Sequence, residues 1–402
     1  MQRRDDGPPI AIIGGGICGL TTALALERRG FTVEVYEAAS EYRPVGAGIL
    51  LQANALVALR ELGVATEVAA SGAALSDVHI QSPSGRVLQA FDPDRERNAC
   101  GHGDVAIHRA DLLEILRRNV SSPIHTGKTC NHVSDPTEPT VWFDDGTRIR
   151  PEILVGADGI HSTVREAVTS VSERSLDTTV LRAVTSVPPE QRDESTGFEV
   201  WGDGTYTGGA PIGRDRFYWF ATVPEELSEP VSVDAIRSFY ASYPAPIPAI
   251  TETVTAEDVI ATTLVDLPSV DRWFRGSTVL AGDAAHGMLP FAGQGAAQSI
   301  EDALALASAL DSHTNVTDAF AEYESQRLSR ANKIRTESHF LGRLGTVQSP
   351  IACWLRNTAV SALPDAVVNR FRHRRVANAS IPPTVSSGPT PSNARHRDEQ
   401  VT

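Results

Sequence analysis

Gly14-Gly15-Gly16-Ile17-Cys18-Gly19 stands between a four-residue apolar run, Ile10–Ile13, and a stretch of helical periodicity, Leu20 to Arg29, that Gly30 stops. A second apolar run, Phe31 to Tyr36, follows and ends at Glu37. The spacing predicts a buried parallel strand, a helix and a second strand within 30 residues, and so commits the chain to an α/β fold around a parallel sheet. In Gly14-x-Gly16-x-x-Gly19 the first glycine allows a tight turn and the second lets backbone approach a pyrophosphate. The third lets helix and strand pack closely. The helix start offers unpaired N–H groups and the positive end of its dipole to phosphates. Glu37 lies 18 residues after Gly19, close to the roughly 20 at which a carboxylate meets a ribose hydroxyl. A glutamate there repels a 2′-phosphate, so the reading favours FAD or NAD over NADP.

Two further segments carry the same strand–turn–helix grammar. Ile153-Leu-Val155 predicts a buried strand that ends in Gly156-Ala-Asp158-Gly159, with Ser162 where a helix cap belongs. Asp158 is read either as a ligand-side carboxylate or as the closure of an Asx-turn. Thr278-Val-Leu280 predicts a strand delivering Gly282 and Asp283 at its carboxyl end, where open α/β sheets bind ligands. The loop Pro290-Phe291-Ala-Gly293-Gln294-Gly295 then opens a helix to about Leu310, whose free N–H groups at Gly295 and Ala296 can stabilise negative charge.

Between these segments, from about Leu176 to Val265, short β-rich runs alternate with Gly and Pro, which predicts a sheet-based unit. Ala53 to Leu62, Leu112 to Val120 and Ala319 to Leu344 read as helices, and Val141–Phe143 with Thr147–Ile149 as a hairpin. The net charge of −14 argues against a nucleic-acid binder. The 34 arginines against two lysines, Lys128 and Lys333, fit either salt adaptation or codon bias. The four cysteines have no metal-ligand spacing, so no metal site is expected. With no spanning run and a polar N-terminus, the expectation is a cytoplasmic chain without stable membrane insertion. The segment Pro350 to Arg375 carries Ile351, Trp354, Leu355 and Phe371 and a basic end. It reads as a docking helix or as a membrane-surface helix.

Taken in this order, the three motifs resemble the FAD-dependent aromatic hydroxylases, the class A flavoprotein monooxygenases, over about residues 10 to 345. Gly-Asp-Ala-Ala-His286 through Gly295 is most similar to the salicylate-hydroxylase-like branch. The resemblance implies a Rossmann-like, glutathione-reductase-like FAD/NAD(P)-binding domain from residues 1–75, 101–175 and 266–345. A mixed β-sheet substrate domain from 76–100 and 176–265 would be inserted in it. C-terminal helices over 346–376 and a disordered tail over 377–402 would follow. Gly14, Gly16 and Gly19 would hold the FAD pyrophosphate, Glu37 the adenosine ribose and Asp283, with Gly282, the ribityl chain. Pro290, Gly293 and Gly295 would lie against the isoalloxazine ring. Asp158 and Gly159 match a motif tied to FAD and to transient NAD(P)H docking. Gly48, in Val45-Gly-Ala-Gly-Ile49, matches a loop that lets the flavin move. Arg109 matches an FAD-contacting arginine, the alternative being a helix-start arginine paired with Asp111 or Glu114.

The implied activity is NAD(P)H-dependent insertion of one atom of O2 into a small aromatic substrate through a flavin C4a-hydroperoxide, in a monomer or homodimer. Epoxidation or hydroxylation of an apolar, isoprenoid-like substrate is the alternative. Strand alternation over Arg216 to Val223 puts Tyr218, Phe220 and Thr222 on one face and Phe217, Trp219 and Ala221 on the other. Tyr218 is a candidate for stacking on substrate or for plain sheet packing. Arg182 is a candidate substrate anchor or a surface arginine. His286 is a candidate acid–base group or a satisfied loop histidine. Urate-acting members of the superfamily carry an arginine near the Tyr206 position and an aspartate at the Phe291 position. The departures here argue against urate and for a drier, more hydrophobic substrate.

Overall fold

The computed structural model describes residues 9–44, 46–186, 195–223, 227 and 232–377. One part of the fold is organised by a six-stranded sheet in the order Phe274–Arg275, Thr278–Leu280, Ile153–Gly156, Ile10–Ile13, Val33–Tyr36, Ile124–His125. All neighbours run parallel except the first pair. Ile10 to Ile13 are buried without alternation, as strands covered on both faces must be. Helix Ile17–Glu27 packs against helix Gly295–Ser312. It starts three residues before the periodic stretch, inside the glycine run itself, because Gly16 serves as its cap.

The register of this sheet positions the site. Ile13 pairs with Tyr36 and with Gly156, and Gly156 pairs with Leu280. Four strands therefore end in one row, and the residues that follow, Gly14, Glu37, Ala157 and Ala281, emerge side by side. Gly14 donates to the Tyr36 carbonyl at 2.8 Å, Ala157 to Ile13 at 2.8 Å and Ala281 to Gly156 at 2.9 Å, which ties the loops together.

A seven-stranded sheet faces this edge, ordered Ile260–Asp266, Arg174–Thr185, Phe217–Thr222, Tyr206–Pro211, Thr196–Trp201, Asp77–Gln81, Val87–Phe91. It draws its strands from residues 77–91 and 174–266. One face, with Phe198, Val200, Phe217, Trp219 and Ala221, packs under helices Val233–Tyr240 and Ile247–Thr253. The alternate residues face the other way, as a period of two requires.

Helix Arg109–Asn119 begins three residues earlier than its apolar pattern, capped by the His108 ring, and the long helix runs Val316–Gly345 from an Asn315 cap. The hairpin forms, with Cys130–Ser134 as a third strand. Helix Pro350–Ser361 turns Cys353, Arg356 and Val360 inward and leaves Ile351 73% and Trp354 65% exposed. Helix Asp365–Ala377 sends Arg372 inward to Asp104 and Glu96 and leaves Phe371 outside. Helix Pro350–Ser361 thus docks through Arg356 together with Cys353 and Val360, and helix Asp365–Ala377 through Arg372, while their large apolar residues stay outside. Ala377, assigned to the tail from sequence, closes the last helix, and the remainder of that tail lies outside the described residues. No described helix is long and apolar enough to cross a membrane.

Candidate active site

Between the two sheets lies a cavity of about 510 Å³ whose wall takes residues from all three motifs and from the seven-stranded sheet. The glycine loop reaches it through Gly16, Ile17 and Cys18. Gly14 sits behind, at φ +103°, where a Cβ would stand 2.3 Å from the Ala157 carbonyl oxygen. Only glycine satisfies both conditions. At Gly19 a Cβ would stand 1.8 Å from the Gly14 carbonyl oxygen, the close helix–strand contact the spacing predicts. Glu37 accepts from the Gly15 N–H at 2.6 Å and from the Ala39 N–H at 2.8 Å. It therefore belongs to the glycine turn but is not part of the cavity wall.

Asp158 accepts from the Ser162 hydroxyl at 2.5 Å and the Val164 N–H at 3.1 Å, while Ser162 caps the helix at Arg165. Its carboxylate organises the strand–helix turn, and Gly159 beside it reaches the cavity. Gly282, at φ +62°, leaves no room for a side chain against Cys18 and Ser299. It delivers Asp283 to the wall, where burial raises the carboxyl's pKa and the nearby His286 and Arg109 charges oppose the rise. Asp111 is taken by Arg216 and Arg214, and Glu114 by Arg117 at 2.8 Å. Arg109 is therefore not held by its helix neighbours and turns into the cavity. Gly48, Pro290, Gly293, Gly295 and Ala296 line the same wall. Val45, in the loop with Gly48, is outside the described residues.

Of the two readings of His286, the structure places the ring where a satisfied histidine would sit, away from the cavity lining. Its ring is buried away from the cavity wall, with Nε2 2.6 Å from Asp302 Oδ2 and Trp273 5.3 Å away. Asp302 also accepts from the Gly282 N–H at 2.9 Å and Arg327 Nε at 2.7 Å. Burial works to raise the Asp302 pKa, but the His286 and Arg327 charges hold it down to about 2. Next to it, Glu301 is bound by Arg327, by both ends of Arg330 and by Asn54 at 2.7 Å. Asn54 donates to Gln294 at 2.9 Å, Gln294 to Gln52 at 2.7 Å, and Gln52 to the Ala292 carbonyl at 3.0 Å. This buried network holds the loop from Pro290 to Gly295 in shape. Local patterning did not mark it, because Arg327 sits mid-helix in a charge-rich stretch.

On the opposite wall stand Arg182, Tyr218, Phe220, Thr222, Tyr206, Trp201 and Glu199. Arg182 is half-buried and lines this wall. Burial raises the Tyr218 phenol's pKa, while the neighbouring Arg182 charge acts the other way. Phe291 packs edge-on against Tyr206 at 5.2 Å, and Tyr206 lies 5.4 Å from Phe220. Val78, Ile80, Phe91, Val180 and Leu289 extend the apolar lining. Glu199 was missed, although its place between Phe198 and Val200 puts it on the face opposite two core residues.

The wall fits a dinucleotide. A Cβ on Gly16 or Gly295 would meet nothing within 4 Å, so backbone is open to a ligand there. Both glycines stand at the starts of long helices, whose free N–H groups suit the pyrophosphate and an electron-rich ring. Among the described residues no group of three or more His, Cys, Asp or Glu is arranged to hold a metal ion.

The comparisons agree with this geometry. The FAD binding domain family matches residues 8–338. Aurachin C monooxygenase/isomerase of Stigmatella aurantiaca is 35% identical over 356 residues, 87% of this chain and 93% of that protein. The 2-heptyl-3-hydroxy-4(1H)-quinolone synthase of Pseudomonas aeruginosa is 33% identical over 378 residues, 91% of this chain and 97% of its own. Klebsiella pneumoniae HpxO, solved with FAD and uric acid, superposes with a TM-score of 0.83 at 23% identity, covering 92% of this chain and 97% of that one. The chain belongs to the FAD binding domain family and is an FAD-dependent oxygenating enzyme of the class A flavoprotein monooxygenase fold.

Proposed function

We propose that the enzyme uses NAD(P)H and O2 to hydroxylate an electron-rich aromatic ring that carries an apolar substituent. A substrate C–H, O2, NAD(P)H and a proton give C–OH, NAD(P)+ and water. Bound FAD would accept the reducing equivalents and activate oxygen; the protein binds, orients and excludes water. Gly14, Gly16, Gly19 and Glu37 would hold the adenosine and pyrophosphate half. Arg109, Asp283, Pro290, Gly293, Gly295 and Ala296 would hold the ribityl and ring half, with Gly48 and Gly159 at its edge. On this reading residues 1–75, 101–175 and 266–345 form a Rossmann-like, glutathione-reductase-like FAD domain, and the seven-stranded sheet is the substrate domain.

The observation that carries the reading is the cavity in which the Asp283 and Pro290–Gly295 loops face an aromatic sheet wall that carries Arg182 beside Tyr218. An epoxidase of isoprenoids has no use for that inward cation, so the aromatic reading is favoured. The apolar side chains Val78, Ile80 and Phe91, with the Arg372 guanidinium over the Phe91 ring at the end of that stretch, suit an apolar substituent such as the heptyl chain in the Pseudomonas relative's product name. The test is the purified FAD-loaded protein with a panel of phenols, aromatic acids and 2-alkyl-4(1H)-quinolones. Substrate-stimulated NAD(P)H oxidation with one 18O atom from 18O2 in the product supports the reading. Absence of bound flavin, or of stimulation by every aromatic, refutes it.

A further inference from the structure

The sheet wall of the cavity runs across the strands. The register aligns Arg182 with Phe220, Phe220 with Gly208, Gly208 with Glu199, and Glu199 with Ile80. These residues form one row across five strands, and all but Gly208 line the cavity. The next strand, Val87–Phe91, is the edge of the sheet, and its Phe91 pairs with Val78, two residues from Ile80. Val78 and Phe91 line the cavity as well. Past Phe91 the sheet has no further strand, so another element supplies the wall.

That element is helix Asp365–Ala377, which none of the three motifs includes. It packs on strand Val87–Phe91. Gln89 of that strand donates to the Val360 carbonyl at 2.7 Å and the Leu363 carbonyl at 3.0 Å, which fixes the turn leading into the helix. From the helix one side chain, Arg372, reaches the cavity wall. Its guanidinium lies over the Phe91 ring, 5.3 Å from the centroid. Behind it stand two buried carboxylates. Arg372 Nη2 donates to Asp104, and Nε lies 3.9 Å from Glu96 Oε1. Burial raises the Glu96 pKa, and the Arg372 charge opposes the rise.

This arrangement decides what Arg372 can do. A guanidinium free at the end of a cavity would attract an anionic group. Here Asp104 and Glu96 already answer its charge from behind. Swinging the side chain out would leave both acids in the interior without it, a costly state. Towards the cavity Arg372 is therefore a fixed, neutralised plug stacked on an aromatic ring. Resting on the monooxygenase reading, we infer that Arg372 is the end stop of the cavity and sets the longest apolar substituent that a substrate can carry. Asp104 and Glu96 are the positioning residues that hold it there.

The dimensions give the limit. From the strand of Arg182 to that of Phe91 is five strand spacings, about 24 Å. A phenol ring with its hydroxyl hydrogen-bonded at the Arg182 end takes about 9 Å of this. Contact with the guanidinium takes about 4 Å more. About 11 Å remains, which holds about eight extended carbons. Cutting Arg372 back to Cβ frees about 5 Å, or about four carbons.

The experiment is anaerobic titration of the FAD-loaded enzyme with 4-n-alkylphenols from ethyl to dodecyl, read by the flavin difference spectrum. Wild type is expected to bind about fourfold more tightly for each added carbon up to about eight, and more weakly beyond. The double variant Arg372→Ala/Asp104→Asn removes the stop together with the acid that it would strand. Its limit is expected near twelve carbons, with dodecylphenol gaining about 20-fold or more over wild type and ethylphenol changing less than about twofold. Arg372→Gln, shorter by about two atoms and still a donor to Asp104, is expected to raise the limit by about two carbons; it carries the test if the double variant does not fold. Affinity independent of chain length in wild type, an unmoved limit in the variants, or an equal loss at every length overturns the inference. If other aromatics perturb the flavin and no alkylphenol does, the inference falls and the monooxygenase reading stands. Absence of bound FAD, or indifference to every aromatic, overturns both.

Discussion

Replacing Arg327 by methionine should unfasten the cofactor wall from behind. The side chain is 2% exposed and its partners Glu301 and Asp302 are fully buried. Methionine keeps the length and the packing but leaves two interior carboxylates facing each other with one cation fewer. The His286 and Arg327 charges hold the Asp302 carboxyl down to about 2 against its burial, well below the usual carboxylate range of about 3.9, a stabilisation on the order of 2–3 kcal/mol at neutral pH that Arg327 shares with His286. Glu301 keeps Arg330 and Asn54, so its share of the loss is smaller. The sum falls in the range of about 3–5 kcal/mol seen when one member of a buried ion pair is removed. A chain of 402 residues has an unfolding entropy of about 0.8 kcal/mol/K, so the melting temperature should drop by about 4–6 °C.

Two controls sharpen the test. Arg327→Lys supplies the charge but not the planar fork that reaches Asp302, Glu301 and Gln298 at once. It should recover less than half of the loss. The pH dependence has a definite sign: a depressed carboxylate stabilises the fold above its unfolded pKa, near 4, and that contribution disappears as pH falls through about 2. The gap in melting temperature between wild type and Arg327→Met should therefore narrow from pH 4 towards pH 2. Because Asp302 also holds the Gly282 N–H, FAD release measured by flavin fluorescence should begin at lower temperature in the variant. A loss under about 1 °C, or a gap independent of acid, would refute the account of the network.

Other substitutions separate the parts of the site. Gly14→Ala, with its Cβ 2.3 Å from the Ala157 oxygen at φ +103°, should weaken FAD binding at least tenfold while leaving far-ultraviolet circular dichroism near native. His286→Gln should lower the melting temperature through its lost charge-assisted bond to Asp302, worth about 1.5–3 kcal/mol. The shape of its kcat/KM against pH should stay that of wild type; loss of one limb would restore the acid–base role. Phe291→Asp puts a carboxylate among Tyr206 and the apolar wall. It should raise the share of NAD(P)H oxidation ending as hydrogen peroxide several-fold, measured with catalase, because water then enters the pocket.

What was legible in the sequence had a local cause. Gly14, Gly19 and Gly282 answer to contacts with backbone or with neighbours that any chain of this topology brings close, so these glycines located two of the loops. The convergence of those loops was also legible once the strands were placed, since parallel strands in register end together. Glu37 and Asp158 were legible as carboxylates of the right loops, but their partners were not. Both spend hydrogen bonds on their own turns, a choice that depends on angles no motif records. His286 belonged to a recognisable motif and still left two readings open, because a four-residue helix decides whether position 286 faces the cavity or Asp302.

The least legible parts are those that join elements distant in the chain. Arg327 and Asn54 meet Glu301 from helices 26 and 247 residues away in sequence, and nothing in either helix's own periodicity demands it. The row from Arg182 to Ile80 has the same character. Alternation fixes which face each residue takes, yet only the register fixes which four share a line, and a slip of one residue turns every side chain to the other face. Gly208 is where the two kinds of information meet. Its neighbours Thr207 and Gly209 are compatible with many turns and strands. The demand for no side chain becomes visible only when Phe220, the residue registered against it, lies across that point. The demands on the glycine loops are therefore written mainly in short stretches of sequence, whereas the demands on the opposite wall are written in pairings between strands. That is why the loops that meet at the cavity were readable from sequence and the row of side chains opposite them required the sheet.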